Sequence, residues 1–307
     1  MYFICVHPRH LWIKTEMKTK TPHTRLAFIF ALAAMFPAVI MAQPKIVQKA
    51  TLEYDFPGRY EGQAAQGMAI YEEVALLFNN EGHCRIYNLK TKKKLTEFNL
   101  ASHGGSNHVN CVSFGVEQPK GAFFPVIYVS ECYGNRQCFV ESISPKGPRL
   151  LQTLTIKTGG IEERSFDWVV DRENKFIYSL ASQSKDGKKG VQVTKWNLPP
   201  LGKKKITFQK ADIVDQFFVA FPNLTQGACI RKGYLYLPVG LHDAPEGAPD
   251  FKSREIIVVN LKTKKIEKSI DINASCPYEP EDCDFYGDTL LLYCGQQGGL
   301  WRIPGVL

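Results

Sequence analysis

Helical periodicity is what this 307-residue chain lacks. Beyond residue 42 no segment repeats its apolar residues every 3.6 positions, which argues against an α/β fold. C-x-x-C and His-rich spacings are missing as well, so zinc has no recognisable ligand set. Charge of one sign is scarce. The formal net charge of +8 falls to +4 once residues 1–42, which carry five Lys/Arg and one acidic residue, are set aside. The Lys clusters at 92–94, 188–189, 203–205 and 264–265 have no aromatic interleaving on which bases could stack. They are expected to be solvated turn tips, and no nucleic-acid partner is expected.

Only one long hydrophobic run is present, Leu26 to Met41, preceded by Lys18, Lys20 and Arg25. It is short of the ~20 residues that cross a bilayer, Pro37 interrupts it, and it ends on Ile40-Met41-Ala42. Residues 1–42 therefore read as a secretory signal peptide of bacterial type, with Met17 an alternative start and residues 1–16 an upstream extension. The expected product is residues 43–307, a single domain, secreted or periplasmic, without a membrane span. No Cys follows the cleavage site, so no lipid anchor is expected.

Eight cysteines remain, an even number in an oxidising compartment. Cys132 and Cys138 flank a five-residue turn, Cys276 and Cys283 a six-residue loop, and each pair is expected to form a disulfide. Cys84, Cys111, Cys229 and Cys294 lie in apolar runs and read as small buried hydrophobes.

What is present in abundance is repetition. Gln66 to Leu100 and Gln226 to Ile272 each open on Gln-Gly and carry the same Asn-Leu-Lys-Thr-Lys-Lys run (Asn88 to Lys93, Asn260 to Lys265) before their last strand. Each describes four short strands parted by turn signals, the second copy with a Pro- and Gly-rich insertion from His242 to Ser253. Three further units open near His108, Asp167 and Glu281, giving spacings of 42, 59, 59 and 55 residues. The last unit is one strand short, and Lys45 to Phe56 supplies an unpaired strand at the other end. An all-β propeller of five four-stranded blades, closed by the N-terminal strand, follows from this count, with six blades as the alternative. In unit three the fourth strand is expected at Ile206-Thr-Phe-Gln209.

In such a fold the blade openings meet at one channel mouth. Here they are Gln66, His108 with Asn110, Asp167 with Trp168, Gln226, and Glu279 with Glu281 and Asp282. A concave site with convergent polar groups is a ligand pocket by default. Adjacent carboxylates at Glu281 and Asp282 are costly to hold there without a counter-charge or water. The bland reading of each Gln-Gly is a glycine permitting close backbone approach, and of Trp168 a core residue. No cofactor is required; calcium bridging Glu281, Asp282 and Asp167 is the one cation candidate. Asn223-Leu-Thr225 and Asn273-Ala-Ser275 match the glycosylation triplet, which matters only in a eukaryotic secretory pathway.

The Gln-Gly opening, the two strands after it and the hairpin Val259 to Ile266 resemble blades of the glutamine cyclotransferase family, over units one, four and loosely five. The resemblance implies a five-bladed propeller. The family's catalytic glutamate falls in the second strand of its first blade. This chain has Leu-Leu-Phe-Asn-Asn-Glu-Gly there, with Glu81 only in the turn, so the fold and not the reaction is carried over. The leading functional expectation is binding of a glycan or peptide at the channel mouth. The rival is a propeller enzyme, a glycoside hydrolase or a glutaminyl-cyclotransferase-like catalyst, with Glu281 and Asp167 as the candidate acid/base pair.

Overall fold

The computed structural model describes residues 44–57, 59–60, 63–104, 107–222, 225–241, 253–295 and 298–306. The signal-peptide reading, most of the 242–253 insertion and Asn223 lie outside them. The chain is a five-bladed β-propeller.

Each blade is an antiparallel meander laid down from the axis outward, as runs of β-branched and aromatic residues parted by tight turns dictate. Blade one is Gln63–Tyr71, Val74–Asn79, His83–Asn88 and Lys93–Asn99. Blade two is Val109–Phe114, Ile127–Glu131, Cys138–Ser144 and Gly147–Lys157. Blade three runs from Asp167–Asp171 through Phe176–Lys185 and Lys188–Asn197 to Ile213–Ala220. Blade four is Cys229–Arg231, Tyr234–Val239, Glu255–Asn260 and Lys265–Asp271. Blade five takes three strands from the C-terminal end, Pro280–Tyr286, Thr289–Cys294 and Gly298–Ile303, and its outer strand, Thr51–Pro57, from the other.

The repeated Asn-Leu-Lys-Thr-Lys-Lys earns its place at the last hairpin of blades one and four. The Asn88 side chain accepts from the Thr91 N–H at 2.7 Å, and Asn260 accepts from Lys262 and Thr263 at 3.0 Å. Lys92 and Lys264 then take the same left-handed conformation, φ 58° and 60°. A side chain that closes a turn on its own backbone fixes the turn wherever it recurs.

Two details depart from the sequence reading. Ile206 to Gln209, expected as the fourth strand of blade three, instead belongs to a strand, Lys205–Gln209, that runs parallel to Gly147–Lys157 on the outer edge of blade two. Phe208 explains the exchange: its ring lies 4.8 Å from Trp196 and 6.1 Å from Trp168, sealing the space between blades two and three. The N-terminal stretch is likewise two strands. Lys45–Val47 pairs in parallel with Lys265–Asp271 of blade four, Lys45 forming ion pairs with Glu255 and Asp271 at 3.0 Å, before Thr51–Pro57 closes blade five.

Burial follows the ring. Five apolar clusters fill the spaces between successive blades, the last joining blade five (Leu291, Tyr293) to blade one (Met68, Leu77). A strand buried on both faces has no polar side to present, which is why the inner strands read as continuous apolar runs broken only by the residues that meet at the axis.

Candidate functional site at the channel mouth

At the axis the organising group is Asp282. Its Oδ2 accepts from the backbone N–H of Met68 in blade one (2.8 Å) and of Val112 in blade two (3.1 Å). Its Oδ1 accepts from Ala228 in blade four (3.0 Å) and from Cys283 in its own strand (2.9 Å). One buried carboxylate thus ties four blades together. Burial drives the carboxyl upward from its ordinary range, against the opposite pull of the N–H donors. Gly227 makes this approach feasible. It has φ 50°, and a Cβ there would fall 2.3 Å from Asp282 Oδ1. Gly67, its counterpart in blade one, is similarly closed in by Val109 and Val112.

The two glutamines of the repeat each meet a glutamate of blade five. Gln226 Nε2 donates to Glu279 Oε1 at 2.7 Å, and Gln66 hydrogen-bonds Glu281. Glu281 is buried and packs where Gly295 has no side chain to obstruct it. Burial first, then the charges of Glu279 and Asp282, push its carboxyl well above the usual range, against the opposite pull of the Gln66 bond. Its Oε2, and Oε1 of Gln66, are buried without a hydrogen-bond partner. Natively folded proteins seldom leave such atoms unanswered.

On the blade-two side, Asn110 Nδ2 donates to both oxygens of Asp167 at 2.9 Å. Asp167 is fully buried, and desolvation raises its carboxyl to about 7 despite that amide. His108 sits half-buried at φ 43°, its ring 4.6 Å from Tyr133, and burial lowers its imidazole. Tyr133 is 57 % exposed. Sequence reasoning overlooked it, because it sits in the Cys132–Cys138 turn and not at a blade opening.

Six of the residues singled out from sequence therefore meet in three bonded pairs, Gln66 with Glu281, Gln226 with Glu279 and Asn110 with Asp167, while His108 packs against Tyr133. Trp168 joins none of these. Alternation along Asp167–Asp171 turns it to the face shared with Val170, where it is 0 % exposed in the core between blades two and three. It offers no surface to a ligand. The calcium trio also meets other chemistry: Asp282 and Asp167 direct their oxygens at N–H donors, and the described residues contain no group of three acidic, His or Cys side chains arranged to hold a metal ion. Asn273 spends its amide on Ser253 and Asp271, both at 2.8 Å.

The expected disulfide pairs do not form. All eight described cysteines are free thiols. Cys276 faces Cys294 and Cys283 faces Cys229, sulfur to sulfur 3.5 Å in each case, while Cys132 and Cys138 take no part in these pairs. Sequence proximity misled here, because Cys283 turns toward blade four and Cys276 toward the second strand of blade five.

The inner strands end at a second mouth, which sequence reasoning did not consider. There Asp284, two residues beyond Asp282 on the same strand face, accepts from the Ile70 N–H at 2.7 Å. Arg172 and Arg231 stand near it. The signal was present as Asp282-Cys283-Asp284, since period-two spacing puts both acids on one face.

No known family's sequence profile matches the chain, and no curated protein matches it. Among solved structures, glutaminyl cyclase from Myxococcus xanthus is similar at 12 % identity and a TM-score of 0.47, over 85 % of this chain and 97 % of that one. At that distance the assignment of a propeller rests on the chain's own strand order. No helix among the described residues is long and apolar enough to cross a membrane.

Proposed function

We propose that the protein is a binding propeller that takes a neutral glycan or peptide at the mouth where its inner strands begin, outside the cytoplasm. The observation that carries this reading is the half-buried Gln226–Glu279 pair at the blade openings, bonded at 2.7 Å. Amide and carboxyl together offer hydrogen-bond donors and acceptors, the recognition chemistry of hydroxyls and amides. Gln66 and Glu281 form the equivalent pair deeper in the fold, and the exposed Tyr133 ring beside His108 supplies the stacking face that Trp168 does not.

A catalytic reading has one observation in its favour. Glu281 and Asp167 both have raised carboxyls, and Asp167 at about 7 is poised where a general acid works best. Against it, both oxygens of Asp167 are already engaged by Asn110. Titration calorimetry against a panel of neutral oligosaccharides and uncharged peptides separates the two. Binding should weaken roughly tenfold or more in Gln66→Ala and Gln226→Ala but change little in Glu281→Gln. A propeller hydrolase or cyclotransferase-like enzyme would instead lose on the order of 10² or more in rate in Glu281→Gln, assayed on aryl glycosides and N-terminal glutaminyl peptides. Absence of saturable binding across the panel would reject the proposal.

A further inference from the structure

At the opposite end of the channel all five blades contribute to a cavity of about 430 Å³, within the range of small-molecule sites. Apolar and polar surface share its walls about equally, Ile70, Val112 and Val170 among the apolar residues and Glu173 and Asp284 among the polar ones, and its cations, Arg172, Arg231 and Lys232, stand at or beside the first hairpin turns of blades three and four. We propose that this far mouth is a second binding site, for a small organic carboxylate whose anionic head lies between Arg172 and Arg231 and whose apolar body fills the cavity. It is independent of the function proposed for the first mouth.

The two guanidinium groups are held ready by rings. Arg172 lies over Tyr71 at 5.3 Å and Arg231 over Phe285 at 4.9 Å, contacts that fix a cation without consuming its N–H donors. Arg231 gives one nitrogen to the exposed Asp288 at 2.9 Å. Arg172 makes no hydrogen bond or ion pair with the described residues, so its planar fork is unspent. A fork of that kind is matched by a carboxylate, which it grips through two parallel bonds. The nearby acid does not fill the role. Asp284 already accepts from Ile70 and, at 2.8 Å, from the Phe285 N–H, and it acts on the arginines only through its charge. On the rim, Asp288 lies 3.5 Å from Lys232 Nζ, and Glu173 accepts from the Lys232 backbone N–H at 3.3 Å.

The half-buried acid gives the site a pH signature. Asp284 is faced by Arg172 and Arg231, and by the thiols of Cys229 and Cys283 from the inner strands of blades four and five. Burial raises its carboxyl to about 6. Above that pH it is an anion that competes with the ligand; below it the competition disappears while a benzoate-like acid is still ionised.

The test is benzoate binding followed by NMR titration of the intact protein, with benzamide as the uncharged isostere and acetate as the head without a body. Benzoate should saturate, Arg172→Ala and Arg231→Ala should each weaken it about tenfold or more, and both controls should bind far less. Affinity should rise severalfold as the pH falls through 6, and Asp284→Asn should remove that rise. No saturable benzoate binding at roughly 10 mM, equal binding of benzamide, or indifference to both arginine substitutions would each overturn the proposal.

Discussion

The two mouths of the channel are built from the same five strands yet solve opposite electrostatic problems. Where the strands begin, acids are driven inside and answered by amides and backbone N–H groups, with Asp282 bonded to blades one, two and four and Asp167 to Asn110. Where they end, cations stand on aromatic rings above one acid, Asp284, that is bonded to a single neighbouring blade through Ile70. Two carboxylates two residues apart on one strand face thus differ in how much of the ring they hold. The first mouth is a fastening; the second is a looser pocket in which charge is left available.

That contrast breaks most visibly at Asp282. Removing its carboxylate in Asp282→Ala strands the N–H groups of Met68, Val112 and Ala228 in a buried place. Each orphaned donor costs about 1–3 kcal/mol, so the loss should be on the order of 5 kcal/mol, read as a fall in the midpoint of urea unfolding. A loss below about 1 kcal/mol would mean that water replaces the carboxylate and that Asp282 is no fastening.

The pH dependence of Asp167 sharpens the same side. Its carboxyl rises from 3.8 unfolded to about 7 folded, so the fold favours the protonated form. Its stabilising contribution is complete below the unfolded value and disappears as the pH rises through about 7. Relative to Asp167→Asn, which does not titrate, the parent protein should lose up to about 4 kcal/mol between pH 4 and pH 8. Parallel stability profiles for the two would show that the Asn110 amide keeps Asp167 ionised throughout.

Much of this architecture was legible in the sequence, and the reasons differ from part to part. Alternating apolar runs with turn signals every few residues gave the blade grammar, and the leftover strand read at Lys45 to Phe56, of which Thr51–Pro57 is the part that closes blade five, announced the closure. The openings came together because a radial repeat must bring equivalent positions to one axis. What stayed hidden depended on faces and edges. Nothing in the strand pattern says which blade edge Lys205–Gln209 will join; Phe208 decides that by filling a gap between two tryptophans. The burial of Trp168 was decided by alternation, which sends Asp167 and Trp168 to opposite faces of one strand. Cysteine partners were set by neighbours across blades, which sequence distance does not report.

The smallest effect belongs to Asp284, and it is the one that tests whether the two mouths differ in kind. In Asp284→Ala one interblade donor, the Ile70 N–H, loses its acceptor, and the cost should be about 1–2 kcal/mol. The nearby guanidinium groups limit the damage: Arg172 is exposed and Arg231 remains paired with Asp288, so neither becomes a buried, unanswered charge. Because a raised carboxyl stabilises only while protonated, the cost should be greatest below pH 4 and shrink as the pH rises through 6. Differential scanning calorimetry of the parent, Asp282→Ala and Asp284→Ala at pH 5 and pH 8 gives the ranking. If Asp284→Ala destabilised the fold as much as Asp282→Ala does, the far mouth would be a second fastening, and the arginines above it counter-ions for that acid instead of a vacant grip for another.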